Sequence, residues 1–229
     1  SSGTYRICIR SLSDLEARPI PGSDLGRLPF WSPNSRSVGF FSKGKLRKSD
    51  LAGGSPVVLA DAVDSRGGAW SSEGIIIFAP NRQGGLYRIP DTGGTPVEIT
   101  RLDATRQEFG HRYPQFLPDG KRFLFVGVRN GGNHTTWMAD LDGSAPREIR
   151  RGYSASVYAD PGYLLFKNED NVILAQRFDV RKGAIVGDPL QIVRDAWGQN
   201  ISYPNLTADS RGTLVTQLRM KVRSRLEWR

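Results

Sequence analysis

Side chains capable of acid–base chemistry and ion binding gather just before one apolar run of the sequence. Glu108, His111, Arg112 and Tyr113 precede the segment FLFV at 123–126. An imidazole can exchange protons near neutral pH, and a guanidinium can pair with a carboxylate or a phosphate. Two roles are open for His111 and Arg112: they face a ligand, or they hydrogen-bond the neighbouring backbone and fix the turn.

The elements that must position these residues form a repeat. Each unit has an aromatic residue or leucine, a short polar turn and an apolar run of strand type. The period is roughly 44 residues. The turns lie near Pro33, Ser72, Pro118, Asp160 and Ala208.

A second element keeps the same period. It places glycine between an acidic residue and a proline, which is typical of a turn before a new strand. Its copies are DLAGGSPVVL at 50–59, DTGGTPVEI at 91–99 and DLDGSAPREI at 140–149. Each repeat therefore contains four short antiparallel strands, and no segment has a sustained helical period. Four strands in about 40–50 residues are typical of a β-propeller blade, so we predict an all-β, single-domain propeller over 1–229.

The predicted count is four whole blades with a partial blade at each end. The whole blades span 22–63, 64–109, 110–152 and 153–198, and the partial blades span 4–20 and 199–229. Two closures fit this count: the ends complete a five-bladed ring, or the chain is a fragment of a six- to eight-bladed ring. We favour the fragment, because the last predicted blade stops inside a strand. Cys8, in the alternating run TYRICIR, is expected at a buried strand position.

These segments resemble a known family. PFWSPNSRSVGFF, GGAWSSEGIIIFAP, GLYRIPDTGGTPVEIT and RYPQFLPDGKRFLFV look like WD40-like (PD40, TolB-like) propeller repeats. More closely, they resemble the extracytoplasmic propeller of acidobacterial serine/threonine protein kinases. The resemblance implies a sensor or interaction domain outside the cytoplasmic membrane. The sequence has none of the kinase motifs, and only Leu117–Gly120 keeps the full turn signature.

In a propeller the first strand of each blade lines a central channel, and the loop before it opens on one rim. Binding residues often lie on loops that a rigid scaffold holds. We therefore predict a ligand-binding channel rim and no catalytic residue, because the equivalent loops supply no second base or nucleophile. The predicted rim residues are Arg66, Glu108, His111, Arg112, Tyr113, Trp197 and Tyr203. Gly110-His111 with Trp137 also mimics a WD40 signature, and we interpret that match as a coincidence because Met138 replaces the aspartate.

The formal net charge is +9, with +5 in residues 1–50, +4 in 201–229 and none between. At the C-terminal end an alternating strand pattern places four basic side chains on one face, which is either a solvated or blade-packed strand face or a basic patch for an anionic partner or lipid surface. Nucleic acid is not an expected partner, since base-stacking aromatics are not interleaved there. No apolar run is long enough for a transmembrane segment. The basic patch comprises Arg219, Lys221, Arg223 and Arg225.

The sequence thus predicts a non-catalytic TolB-like recognition module, with an unidentified protein or small ligand at the channel rim. No cofactor and no metal site are expected, because two histidines 23 residues apart lack ligand spacing. The alternative is a carbohydrate-active or hydrolytic propeller with its site at the channel mouth. That alternative requires two carboxylates to converge on the substrate.

Overall fold

The structure, a computed structural model, describes residues 5–11, 15–130 and 134–196, and the strand backbones at 206–208 and 214–216. Within this part of the chain all sheets are antiparallel: four have four strands and two have two strands. The predicted all-β fold of four-stranded blades is confirmed. We call each four-stranded sheet a blade and number the blades along the chain.

The chain divides into two compact units, Ser1–Arg151 and Gly152–Arg229. The first unit contains a two-stranded sheet and blades 1 to 3. Its strands are β1 (Arg6–Ile9) and β2 (Arg18–Asp24); β3 (Arg27–Trp31), β4 (Ser37–Ser42), β5 (Lys45–Asp50) and β6 (Val57–Asp61) of blade 1; β7 (Gly68–Trp70), β8 (Ile75–Phe78), β9 (Tyr87–Pro90) and β10 (Val97–Glu98) of blade 2; and β11 (Glu108–Phe116), β12 (Arg122–Arg129), β13 (His134–Asp140) and β14 (Arg147–Gly152) of blade 3.

The second unit contains blade 4 and a further two-stranded sheet. Its strands are β15 (Ser156–Ala159), β16 (Tyr163–Lys167), β17 (Ile173–Asp179) and β18 (Ala184–Val193), followed by β19 (Leu206–Ala208) and β20 (Leu214–Thr216). Blade 4 has its own core, in which Leu165, Ile173 and Ala175 are buried. The grouping of all these blades into a single domain over 1–229, and the number of blades in a ring, remain predictions.

The polar turns of the repeat join the first and second strands of the blades. In blade 3 the carboxylate of Asp119 accepts hydrogen bonds from the backbone N–H groups of Lys121 and Arg122 at 3.0 and 2.9 Å. In blade 1 the hydroxyl of Ser32 accepts from the N–H of Ser37 at 2.9 Å. Short polar side chains that bond their own turn are the reason why these residue types recur there.

Within the first unit, the apolar strand β8 is buried on both faces by adjacent blades. In β8, Ile76 and Phe78 pack with Phe41 and Leu46 of blade 1. Ile77, between them on the opposite face, packs with residues of blade 3. Successive strand residues point to opposite faces, so a strand between two blades needs a continuous apolar run rather than an alternating one.

Cys8 corrects one expectation. The strand was predicted correctly, but Cys8 is exposed. Ile7 and Ile9 take the face that packs on the small core around Ile20 and Phe40. The residue between them must therefore point to solvent.

Candidate functional site

Glu108 and His111 share one face of β11 because the strand contains a β-bulge. Glu108 pairs with Arg129, Gly110 with Val128 and His111 with Gly127, so one extra residue is accommodated between Glu108 and Gly110. In a regular strand, residues three apart point to opposite faces. The extra residue at the bulge brings the side chains of Glu108 and His111 to the same face of the strand. Bulges often redirect side chains in this way beside functional sites.

A buried hydrogen-bond chain leads from blade 2 to this pair. The N–H of Leu86 donates to Thr100 Oγ1 at 2.8 Å, and Thr100 Oγ1 lies 2.8 Å from His111 Nδ1. Since Thr100 Oγ1 already accepts from Leu86, its own hydrogen is available for Nδ1. Because an ionised carboxylate only accepts hydrogen bonds, the hydrogen on His111 Nε2 donates to Glu108 Oε2 at 3.3 Å.

Glu108 accepts a second hydrogen bond on its other oxygen. Trp137 Nε1 donates to Glu108 Oε1 at 2.9 Å, and the side chain of Glu108 is only 2% exposed. Burial raises the pKa of Glu108, but the hydrogen bonds from His111 and Trp137 outweigh it and leave the pKa below its ordinary value. Glu108 is therefore a buried carboxylate that stays ionised at neutral pH.

The pair opens onto a pocket of about 200 Å³ within the first unit. We call it the His111 pocket. Its walls come from the connection between β10 and β11, from strands β11 to β13 and from the turn before β14. It is lined by Arg101, Asp103, Arg106, Glu108, His111, Phe125, Trp137, Ala145 and Pro146.

A short 3-10 helix, Ala104–Arg106, places cationic and anionic groups at the pocket. Asp103 caps the helix by accepting from the N–H of Thr105 at 2.9 Å, and it pairs with Arg106 at 2.8 Å. The guanidinium of Arg106 lies over the ring of Trp137, 4.7 Å from its centroid. The same indole thus contacts a cation through its face and an anion through its N–H.

The structure separates the other predicted rim residues from this pocket. Arg112 lies opposite Val126 on the other face of blade 3 and donates to the backbone oxygen of Arg82 at 3.2 Å. Arg66 Nη1 lies 2.6 Å from Asp64 Oδ1. The backbone oxygen of Arg66 accepts from the N–H of Tyr113 at 2.9 Å. Only Glu108 and His111, among the predicted rim residues that are described, line the His111 pocket. The binding role of the set remains a prediction.

Six predicted site residues cannot be placed. The rim residues Trp197 and Tyr203 and the basic patch of Arg219, Lys221, Arg223 and Arg225 lie outside the described residues.

The sequence did not indicate Thr100 or Arg106 as site residues. Thr100 and Arg106 carry no recognisable motif, because they follow the outermost strand of the preceding blade. Trp137 was noted beside Gly110-His111 and dismissed as a coincidence, yet Trp137 and His111 bind the same carboxylate. The match of Gly110-His111 with Trp137 was therefore a sequence signal of this shared contact with Glu108.

Among the described residues, no three His, Cys, Asp or Glu side chains lie close enough together to hold a metal ion. In the same part of the chain, no helix is long and apolar enough to span a membrane.

Comparison with known proteins shows the fold and not the family. No protein-family model matches the chain, and no curated protein does. The solved gluconolactonase XC5397 from Xanthomonas campestris is similar, with a TM-score of 0.63 and 15% identity over 85% of this chain and 70% of that one. TolB from Acinetobacter baumannii has a TM-score of 0.62 and 16% identity over 82% of this chain. An oligogalacturonate lyase in complex with manganese has a TM-score of 0.58 and 12% identity over 83% of this chain.

The chain spans 49% of the TolB chain and 60% of the lyase chain. At these identities the likeness establishes a TolB-like β-propeller fold. The link to the propellers of acidobacterial kinases is not among these findings.

The prediction that this chain is not an enzyme is contradicted by the structures that it resembles. The similar structures include a gluconolactonase and an oligogalacturonate lyase as well as TolB. One propeller scaffold therefore serves both catalytic and other proteins, because function depends on the side chains placed on it.

The depressed pKa of Glu108 predicts a pH dependence of stability. A carboxyl whose folded pKa lies below its ordinary value of 4.5 stabilises the fold above that pH, and the contribution is lost as the pH falls through the folded pKa. We expect the denaturation midpoint of the wild type to fall more between about pH 7 and pH 3 than that of Glu108→Gln. Urea unfolding at both pH values tests this, and parallel curves would contradict it.

Proposed function

We propose that the chain is a recognition module that binds a small polar ligand in the His111 pocket. One observation carries the proposal: an ionised, buried carboxylate, Glu108, is held by His111 and Trp137 where the pocket opens. Binding sites are typically concave and largely apolar, with a few oriented polar groups. Phe125 and Trp137 supply the apolar wall, and Glu108 supplies the oriented acceptor.

The size of the pocket limits the ligand. Its volume of about 200 Å³ is below the roughly 300–1,000 Å³ of sites for drug-sized molecules. The pocket therefore suits one small metabolite, such as a single sugar, a sugar acid or an amino acid. Sugar acids are included because two of the similar solved structures are a gluconolactonase and an oligogalacturonate lyase.

A two-carboxylate hydrolytic mechanism has less support from this pocket. Asp103 and Glu108 both line it, but such chemistry needs one carboxyl with a raised pKa to act as the acid. The hydrogen bonds from Thr105 and Arg106 lower the pKa of Asp103, and the pKa of Glu108 is lowered as well. Both groups are suited to holding a ligand as anions.

In the cell we propose that this module acts as the extracytoplasmic sensor of a bacterial signalling protein. The TolB-like fold and the resemblance of its repeats to the propellers of acidobacterial kinases support this role. Ligand binding in the His111 pocket would be the sensed event.

Closing the pocket tests its role. Ala145 is an exposed turn residue that lines the pocket, and Ser55 occupies the equivalent turn position of blade 1. A ligand that binds only the folded state raises Tm. In a thermal-shift screen of sugars, sugar acids, amino acids and nucleotides, we expect at least one class to raise Tm of the wild type and of Ser55→Trp, but not of Ala145→Trp. An equal shift in Ala145→Trp, or no shift with any class, would overturn the proposal.

A further inference from the structure

The Glu108 carboxylate and the guanidinium groups that line the His111 pocket differ in depth. Glu108 is buried, whereas Arg101 is 87% exposed and Arg106, which pairs with Asp103, is 41% exposed. Glu108 thus lies at the floor of the pocket, and the two guanidinium groups lie near its mouth together with Asp103. A ligand that matches this arrangement carries a positive group at one end and a negative group at the other.

The floor has an unused capacity for a cation. A carboxylate offers about four acceptor positions, and the protein fills two of them, one from His111 and one from Trp137. About two acceptor positions of the buried carboxylate therefore remain open toward the pocket. An ammonium group supplies several N–H donors and a positive charge that complements the carboxylate.

The mouth is suited to a carboxylate. Arg101 Nε lies 3.7 Å from Glu98, and exposed ion pairs of this kind contribute little stability. Arg106 is held in place by Asp103 and by the ring of Trp137. Since each guanidinium carries five N–H donors, Arg106 can bind a further anion without leaving Asp103.

The indole of Trp137 sets the spacing between the two ends. Its N–H binds Glu108, and its ring lies under Arg106. The carboxylate of Glu108 and the guanidinium of Arg106 are therefore separated by about the width of the Trp137 indole. A short molecule can bridge them with one hydrogen bond at each end.

We infer that the ligand of the His111 pocket is a small zwitterion of the amino-acid type, with its ammonium group on Glu108 and its carboxylate on Arg106 and Arg101. This inference rests on the proposed function, because it names the ligand class of the same pocket.

The test compares an amino acid with its two halves. L-Serine has both charges, ethanolamine lacks its carboxylate, and 3-hydroxypropanoate lacks its ammonium group. The L-amino acids are first ranked by thermal shift, and L-serine or the best of them is titrated by calorimetry beside analogues trimmed in the same way. We expect either trimmed analogue to bind about tenfold to a hundredfold more weakly, the range for loss of a charge-assisted hydrogen bond.

Two variants locate the binding. Arg106→Gln removes an exposed charge and should weaken amino-acid binding about tenfold, which is the loss expected for one such bond. Glu108→Gln should weaken it further. The matched control is Arg6→Gln, which breaks a comparable exposed pair with Asp24 in the sheet of β1 and β2, outside the pocket. It should leave the affinity unchanged.

The failures of the two proposals are distinguishable. If D-glucuronate or 3-hydroxypropanoate binds as tightly as the best amino acid, and Ala145→Trp abolishes that binding, the zwitterion inference is wrong and the proposed pocket stands. Equal amino-acid binding by the wild type and Arg106→Gln would also overturn the inference. If no probe of any class binds, the recognition function of the pocket fails with it.

Discussion

Replacing Phe125 with alanine is expected to lower the free energy of unfolding of the first unit by about 3–5 kcal/mol. Phe125 is 1% exposed, and its ring lies 5.9 Å from Phe123 and 4.7 Å from the imidazole of His111, between centroids. The substitution removes apolar contacts between blades 2 and 3 and leaves a cavity that a close-packed core cannot fill.

Chemical denaturation followed by fluorescence and circular dichroism measures this loss. Since the chain has two compact units, both probes are needed to show whether one transition or two occur. The control is Val97→Ala in β10, where the side chain is 51% exposed and the change should stay within about 0.5 kcal/mol. A Phe125→Ala midpoint equal to that of Val97→Ala would show that the two blades are not packed as described.

Replacing Trp137 with phenylalanine is expected to cost about 1.5–3 kcal/mol, although an aromatic ring is kept. The substitution deletes the N–H that donates to Glu108 Oε1 and leaves a buried carboxylate with one donor fewer. The loss of a hydrogen bond to a buried charged group costs its desolvation, because water cannot replace the donor. The same change should weaken ligand binding, since it removes a donor that orients Glu108 in the pocket.

Trp70→Phe provides the matched control for that prediction. Trp70 Nε1 donates to Asp91 Oδ2 at 3.2 Å, and Asp91 is only partly buried, so water can replace the lost donor more readily than at Glu108. Its cost should be well below that of Trp137→Phe in the same denaturation experiment. If the two variants lose equal stability, the carboxylate of Glu108 is hydrated, and its role as an oriented buried acceptor is wrong.

The strand and turn pattern could be predicted because its causes are local. Asp119 and Ser32 mark their turns, since their side chains bond backbone groups within a few residues. The uninterrupted run of β8 indicates burial on both faces, and the structure shows that burial against blades 1 and 3.

The face that each residue occupies could not be read as reliably. Cys8 was assigned to the core because it lies within an alternating run, but alternation permits two phases and Ile7 and Ile9 occupy the buried one. A shift of one residue exchanges the faces of a strand. The burial of one neighbour rather than another is decided by what packs on the strand.

The candidate site shows the same division. The sequence by itself determined that Glu108 and His111 stand at the entry of a blade, because the repeat and its turns locate that strand. Only the tertiary structure decided that the two side chains share a face, since the bulge at Phe109–Gly110 shifts the register by one residue. It also decided that Thr100, Arg106 and Trp137 meet them, because contacts between residues distant in the chain depend on how blades 2 and 3 pack.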